Sequence, residues 1–206
     1  MSSDSVQTIA SEGELVPVNC FEPLNLQSIF GRSAPVEVDL GCGDGTFLAA
    51  LAAENPDTDF LGIERLLGRV RSACRKIERN DLTNARVLRF EISYAVEYLL
   101  PPGSVTAFHL LFPDPWPKRR HATRRLVSEN FLAALHRALR PGGVVQIATD
   151  ESPYFGQITR MASQSGLFAV RPNPEGAASA SKFECRFRAR GLAIHRLELR
   201  KVSPVM

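Results

Sequence analysis

From Val36 onward the sequence alternates short aliphatic or β-branched runs with helix-length segments, and this alternation limits the fold more than any other feature. VEVDL precedes a helix over Thr46 to Glu54, DFLGIE a helix over Leu66 to Arg79, and ARVLRF a short helix near Ser93 to Leu99. VTAFHLLF then precedes a helix from about Val127 to Leu139, and a PGG turn leads into VVQIATD and a helix after Ser152. Such a pattern predicts an α/β fold with a mostly parallel, doubly wound sheet and helices on both faces. Two closing strand-like runs, KFECRFRA and LAIHRLELR, joined through Arg190-Gly191, predict an antiparallel C-terminal edge hairpin. Residues 1–35 hold Pro17, Pro23 and Pro35 and no sustained periodicity. They read as an irregular arm, leaving 36–206 as a single domain.

Ligands of such sheets bind beyond the carboxyl ends of the strands. Five acids fall there: Asp39 with the first strand, Glu64 after the second, Glu91 after the third, Asp114 after the fourth and Asp150 after the fifth. Taken singly, Glu91 and Asp150 also fit the role of a helix N-cap or first-turn acid. The first strand runs into DLGCGDG, whose glycines at alternate positions let a ligand approach the backbone around Gly41 and Gly43. A dinucleotide fingerprint would carry glycine at position 46, where Thr46 stands. Glu64 is placed to accept both ribose hydroxyls of an adenosine. This loop fits S-adenosylmethionine better than a pyrophosphate cofactor.

The stretch FPDPWPKRRHATRR, Phe112 to Arg125, carries the most chemistry. Pro113, Pro115 and Pro117 stiffen a loop that aims Asp114. Lys118, Arg119, Arg120, Arg124 and Arg125 are suited to phosphates. Trp116 is read either as a base-stacking residue or as a loop anchor. His121 is read as a phosphate or loop hydrogen-bond partner, and His109 and Cys42 as buried packing residues.

Charge is uneven. Net charge is only +3, yet residues 182–201 hold seven bases against two acids, a second basic cluster beside that of Lys118 to Arg125, while the first 35 residues are acidic. If the two converge they form a footprint for an anionic polymer. No stretch reaches the roughly 20 apolar residues of a membrane span, and the start shows no secretory signal, so a cytoplasmic location is expected. Cysteines 20, 42, 74 and 185 form no CxxC pair or Cys/His cluster, which points away from zinc and from a disulfide framework.

VDLGCGDG, DFLGIE, FPDPWPKRRHATRR, ATD and SKFE, in this order from Val36 to Lys201, resemble the bacterial tRNA (guanine-N7-)-methyltransferase family. The resemblance implies a Rossmann-like class I S-adenosylmethionine-dependent methyltransferase fold and tRNA as partner. By resemblance Asp39, Glu64, Glu91 and Asp114 match cofactor-contacting acids, and Asp114 also the catalytic acid. Lys118, Asp150 and Ser181, Lys182, Phe183, Glu184 match substrate-contacting positions, and Arg120, His121, Arg124 and Arg125 lie in the RNA-contacting segment. Glu91 stands where the family usually has Asp or Asn, Ser181 where it usually has Thr, and Ala122-Thr123 where the segment is often more basic. The arm before Val36 is shorter and more acidic than is usual.

Guanine N7 carries an unshared pair and no proton, so its methylation needs alignment rather than a general base. Asp114 or Asp150 then has one of two roles: stabilising the positive charge that grows on the purine, or accepting the guanine N1–H and N2–H donors. Two other readings stay open: an RNA-binding protein of this fold with reduced or lost catalysis, and a small-molecule methyltransferase. A monomer and a homodimer are equally compatible with the sequence.

Overall fold

The computed structural model describes residues 8–11, 13–116, 120, 124–172 and 193–202, with backbone alone for 8–11. The chain divides into two compact units, Met1–Pro101 and Pro102–Met206.

The first unit holds strands β1 (Thr8–Ser11), β2 (Glu14–Val16), β3 (Val36–Leu40), β4 (Asp59–Ile63) and β5 (Ala85–Leu88), in the order β1-β2-β5-β4-β3. Among the described residues of this unit only the β1–β2 pair is antiparallel. Every residue of β4 is buried, as expected of a parallel strand covered on both faces. Helices α1 (Leu26–Phe30), α2 (Thr46–Glu54) and α3 (Leu67–Arg79) follow, with a short α4 (Ile92–Tyr94) that continues into a π-helical turn, Ala95–Leu99. In α3 the buried residues Val70, Ala73, Cys74 and Ile77 recur at i, i+3, i+4 and i+7, the spacing of one helix face. Gly62 makes the α2 packing possible: a Cβ there would sit 2.7 Å from the Cys42 sulfur and 2.8 Å from Leu48 Cδ2.

The expected irregular arm is corrected here, because residues 8–30 contain β1, β2 and α1. Glu14 and Leu15 of β2 pair in parallel with Val87 and Leu88 of β5. Leu15 is 1% exposed, and burial of such a side chain is worth about 1.5–3 kcal/mol. The Asn25 side chain caps α1 by accepting from Ser28 N–H, and Gly31 closes it in the left-handed conformation. The three prolines lie between these elements, where the chain needs no ladder donor.

The second unit holds β6 (Val105–Leu111), α5 (Glu129–Ala138), β7 (Leu139–Thr149), α6 (Ser152–Ser165), β8 (Phe168–Pro172) and β9 (His195–Lys201). Strand order is β6-β7-β9-β8. The β6–β7 pair is parallel and β9 is antiparallel to both its neighbours. The PGG expected as a turn lies inside β7, where the pairing with β6 shifts register between Val105 and Ala107. The antiparallel C-terminal edge is present. Its outer strand is β8, while the strand expected over 182–189 lies outside the described residues. Phe108, Leu110, Leu132, Leu135, Tyr154, Ile158 and Leu199 form the buried centre of this unit. Among the described residues no helix is long and apolar enough to cross a membrane.

Candidate active site

Within the first unit the suspected cofactor residues gather at the carboxyl ends of β3, β4 and β5. Asp39 is buried as the penultimate residue of β3. Beyond it, the Gly41 and Cys42 N–H groups both donate to the Ile63 carbonyl, at 2.9 and 3.1 Å, which folds the glycine loop across the end of β4. The loop's glycines divide into two kinds. Cβ atoms on Gly41 and Gly43 would meet nothing nearer than Ile92 Cδ1 at 3.5 Å and the Gly41 carbonyl at 3.9 Å, so this face of the backbone is open. A Cβ on Gly45 would lie 2.5 Å from the Ala73 Cβ, so that glycine exists to let α2 begin against α3.

Asp44 locks the loop from the side. It accepts from the Thr46 hydroxyl at 2.8 Å and pairs with Lys76 Nζ at 3.2 Å. Glu64 is buried, and its Oε1 accepts the Leu66 N–H at 2.8 Å while Oε2 lies 3.5 Å from Arg69 Nη1. A carboxylate has about four acceptor sites, so this fixed group retains capacity for ribose hydroxyls. Glu91 is exposed and caps α4, accepting the Tyr94 N–H at 2.8 Å. The helix-cap reading of Glu91 is therefore the geometry observed.

An open glycine backbone bordered by carboxylates suits a nucleoside carrying a cationic centre and disfavours a pyrophosphate; these residues fit S-adenosylmethionine. Cys42 is buried, as expected of a packing residue. Burial, followed by the charges of Asp39 and Glu64, pushes its thiol well up and keeps it neutral.

In the second unit Asp114 and Asp150 follow the adjacent parallel strands β6 and β7. The Phe112 N–H donates to the Ala148 carbonyl at 2.7 Å, holding the start of the Asp114 loop to β7. Phe112 (φ 52°) and Trp116 (φ 41°) both occupy the left-handed region, two residues either side of Asp114. Non-glycine residues adopt that conformation only when their surroundings enforce it.

On the Trp116 side Arg125 supplies the enforcement. Its Nε donates to the Pro115 carbonyl at 2.8 Å, Nη2 to the Trp116 carbonyl at 3.3 Å, and Nη1 to Gln157 Oε1 on α6. The guanidinium stands over the Tyr154 ring at 5.2 Å. Tyr154 is fully buried and its hydroxyl accepts the Val127 N–H at 3.3 Å; burial is the main cause of its raised phenol pKa. The Arg124 guanidinium lies 5.1 Å over the half-buried Trp116 ring. Asp114 is exposed and Asp150 half-buried, and neither carboxylate has a hydrogen-bond or ion-pair partner among the described residues. Helix α6 takes Glu151 as its N-cap, so Asp150 is not a cap.

A family model described as "Putative methyltransferase" matches residues 33–197. The tRNA (guanine-N(7)-)-methyltransferase of Syntrophotalea carbinolica is 35% identical over 184 residues, spanning 87% of this chain and 79% of that protein. Its counterpart from Leifsonia xyli subsp. xyli is 41% identical over 187 residues, 86% of this chain and 81% of that protein. The chain belongs to the tRNA (guanine-N7-)-methyltransferase family. Among solved structures, the antibiotic-resistance methyltransferase Kmr superposes with a TM-score of 0.63 at 21% identity, over 93% of this chain and 96% of that one. The 16S rRNA methyltransferase KamB gives 0.63 at 19% identity, over 89% and 95%. At those identities the likeness is one of fold, the Rossmann-like class I methyltransferase fold.

As a tRNA (guanine-N7-)-methyltransferase family member, the chain keeps Asp39, Glu64 and Glu91 together in one unit, and Asp114 and Asp150 at adjacent strand ends in the other. Arg120 and Arg124 are exposed. Arg125, expected among the RNA-contacting residues, uses its donors inside the protein. Lys118, His121 and Ser181 to Glu184 lie outside the described residues. Sequence reasoning missed Tyr154 and Gln157 as supports of the Asp114 loop. Tyr154, Ile158 and Ala162 are buried at helical spacing, so in the string Tyr154 reads as ordinary core.

Proposed function

We propose that this protein transfers the methyl group of S-adenosylmethionine to N7 of a guanine in tRNA. The observation that carries the reading is Asp114: a carboxylate without a hydrogen-bond or ion-pair partner among the described residues, on a loop whose backbone is strained on both sides and tied down by Arg125 beyond it. When bound, S-adenosylmethionine would supply an electrophilic methyl group, whose transfer to N7 would leave the purine positively charged and the donor as a neutral thioether. Asp114 and Asp150 accept the guanine N1–H and N2–H donors or stabilise the growing charge; neither has to remove a proton from N7. Fixing the nucleophile in line can supply up to about 7–11 kcal/mol. On the cofactor side, Glu64 orients the ribose and the bare backbone of Gly41 and Gly43 admits the nucleoside. All these residues fall within 36–206, the range read as the methyltransferase domain, and a tRNA substrate implies work in the cytoplasm.

Incubation with methyl-labelled S-adenosylmethionine and unmodified tRNA tests the reading. Label should enter acid-precipitable RNA. Label that enters only acid-soluble acceptors would favour a small-molecule methyltransferase.

A further inference from the structure

The sequence reading counted two basic clusters, yet the densest one in the described structure lies elsewhere, along α3. Residues 65–79 hold six cations (Arg65, Arg69, Arg71, Arg75, Lys76 and Arg79) against one acid, Glu78. Their net charge exceeds the +3 of the entire chain, so the remainder is net negative.

Arg65 precedes the helix, and the five cations on α3 fall into two groups. On one flank of α3, Lys76 is bound to the Asp44 carbonyl and carboxylate, and Arg69 lies beside Glu64. These support the glycine loop and the ribose acid. On the other flank Arg71, Arg75 and Arg79 recur every four residues, all exposed, and none forms an ion pair or hydrogen bond among the described residues. Glu78 forms no ion pair there either. Their successive spacing along the helix axis is about 6 Å, comparable with the step between neighbouring phosphates of a nucleic-acid strand.

A merely solvated face is made stable by alternating signs at i and i+4, whereas like charges at that spacing destabilise a helix. Here Arg71 faces Arg75 and Arg75 faces Arg79 with no acid at i±4 to either side, and the one acid in reach, Glu78 at i+3 from Arg75, forms no ion pair with any of them among the described residues. The core contacts of α3 come from Val70, Ala73, Cys74 and Ile77 and need none of the three arginines.

We propose that the Arg71–Arg75–Arg79 stripe of α3 is a docking surface for the phosphodiester backbone of the tRNA substrate, additional to the Lys118–Arg125 segment. It rests on the reading of tRNA as substrate. The contact is electrostatic and independent of base sequence, and it holds the RNA body while the target guanine is presented.

The test is fluorescence anisotropy with end-labelled unmodified tRNA across a potassium chloride series, using the full chain. The triple variant R71Q/R75Q/R79Q should bind tRNA about ten- to a hundredfold more weakly and lower the slope of log K against log salt by about 2–3; R75Q alone should lower it by about 1. A charge-matched control, R140Q/R160Q/R171Q, replaces three exposed arginines of the second unit and should leave the slope unchanged. Calorimetric affinity for S-adenosylmethionine should match the parent in every variant, which shows that the first unit is folded. The proposal is overturned by an unchanged slope in the triple and single variants, or by an equal loss in the control. It is also overturned if the triple variant loses only binding to phosphatidylglycerol/phosphatidylcholine vesicles. A parent that binds tRNA through this stripe without methylating it would sink the proposed function and leave the surface. Methylation with an unaffected slope would do the reverse.

Discussion

Arg125 Nε donates to the carbonyl of Pro115 at 2.8 Å, so the cation ten residues downstream grips the backbone one residue from Asp114. Together with its contacts to the Trp116 carbonyl, Gln157 and the Tyr154 ring, this makes Arg125 a positioning residue for the carboxylate. Lysine reproduces the charge but neither the planar fork nor the stacking. Arg125→Lys should therefore lower kcat by about 10²-fold, the scale of a 1 Å misplacement, with KM for S-adenosylmethionine and the salt slope of tRNA binding near the parent values. A lowered salt slope with unchanged kcat would return Arg125 to the phosphate-binding residues.

Asp114 itself should be sensitive to charge. Asp114→Asn keeps the size and one acceptor but removes the negative charge and introduces a donor. Loss of one preorganised electrostatic partner costs about 10²–10³ in kcat, and tRNA affinity should stay within a few-fold. Steady-state kinetics beside a binding titration separates the two effects, and parent-like turnover would remove the role assigned to Asp114.

The glycines of the cofactor loop should behave differently from one another. Gly45→Ala places a Cβ 2.5 Å from Ala73 and strains a residue at φ +75°, so it should destabilise the fold by about 2–4 kcal/mol. Gly43→Ala meets open space, has only the backbone cost of about 1–3 kcal/mol, and should weaken S-adenosylmethionine binding more than its stability loss explains. Urea titrations with calorimetric cofactor binding distinguish them.

Much of this was legible in the string. Helix α2 begins and ends where the glycine loop and Asn55 place it, and β3 coincides with VEVDL, because local punctuation decides both. Strand β2 was not legible: its partner, Val87-Leu88, is some seventy residues away, and a three-residue strand has no periodicity of its own. The roles of Arg124 and Arg125 were equally hidden. Adjacent arginines are equivalent in sequence, and only the placement of Tyr154 and Gln157 on α6 turns one inward while the other covers Trp116. Glu91 was recognisable as either ligand or cap because both uses need an acid in the same place.

Alkaline stability carries a signature of the buried thiols. The Cys74 thiol is raised from 9.0 to about 11, first by burial and then by the charges of Glu14 and Glu78, and Cys42 is raised in the same direction. The folded chain thus keeps these protons at pH values where the unfolded chain has lost them. The stabilisation is complete below pH 9 and is lost as pH rises through about 11, at up to about 1.4 kcal/mol per pH unit for each group. Cys74→Ala should flatten that decline by its share in urea titrations over this range. An identical decline in the variant would assign the alkaline loss elsewhere.

The central claim is the atom that receives the methyl group. Unmodified tRNA should be incubated with the protein and methyl-labelled S-adenosylmethionine, digested to nucleosides and chromatographed. The structure and family membership together lead us to expect label in 7-methylguanosine, abolished by Asp114→Ala. Label in another methylated nucleoside, or in 7-methylguanosine at an undiminished rate without Asp114, would contradict the account.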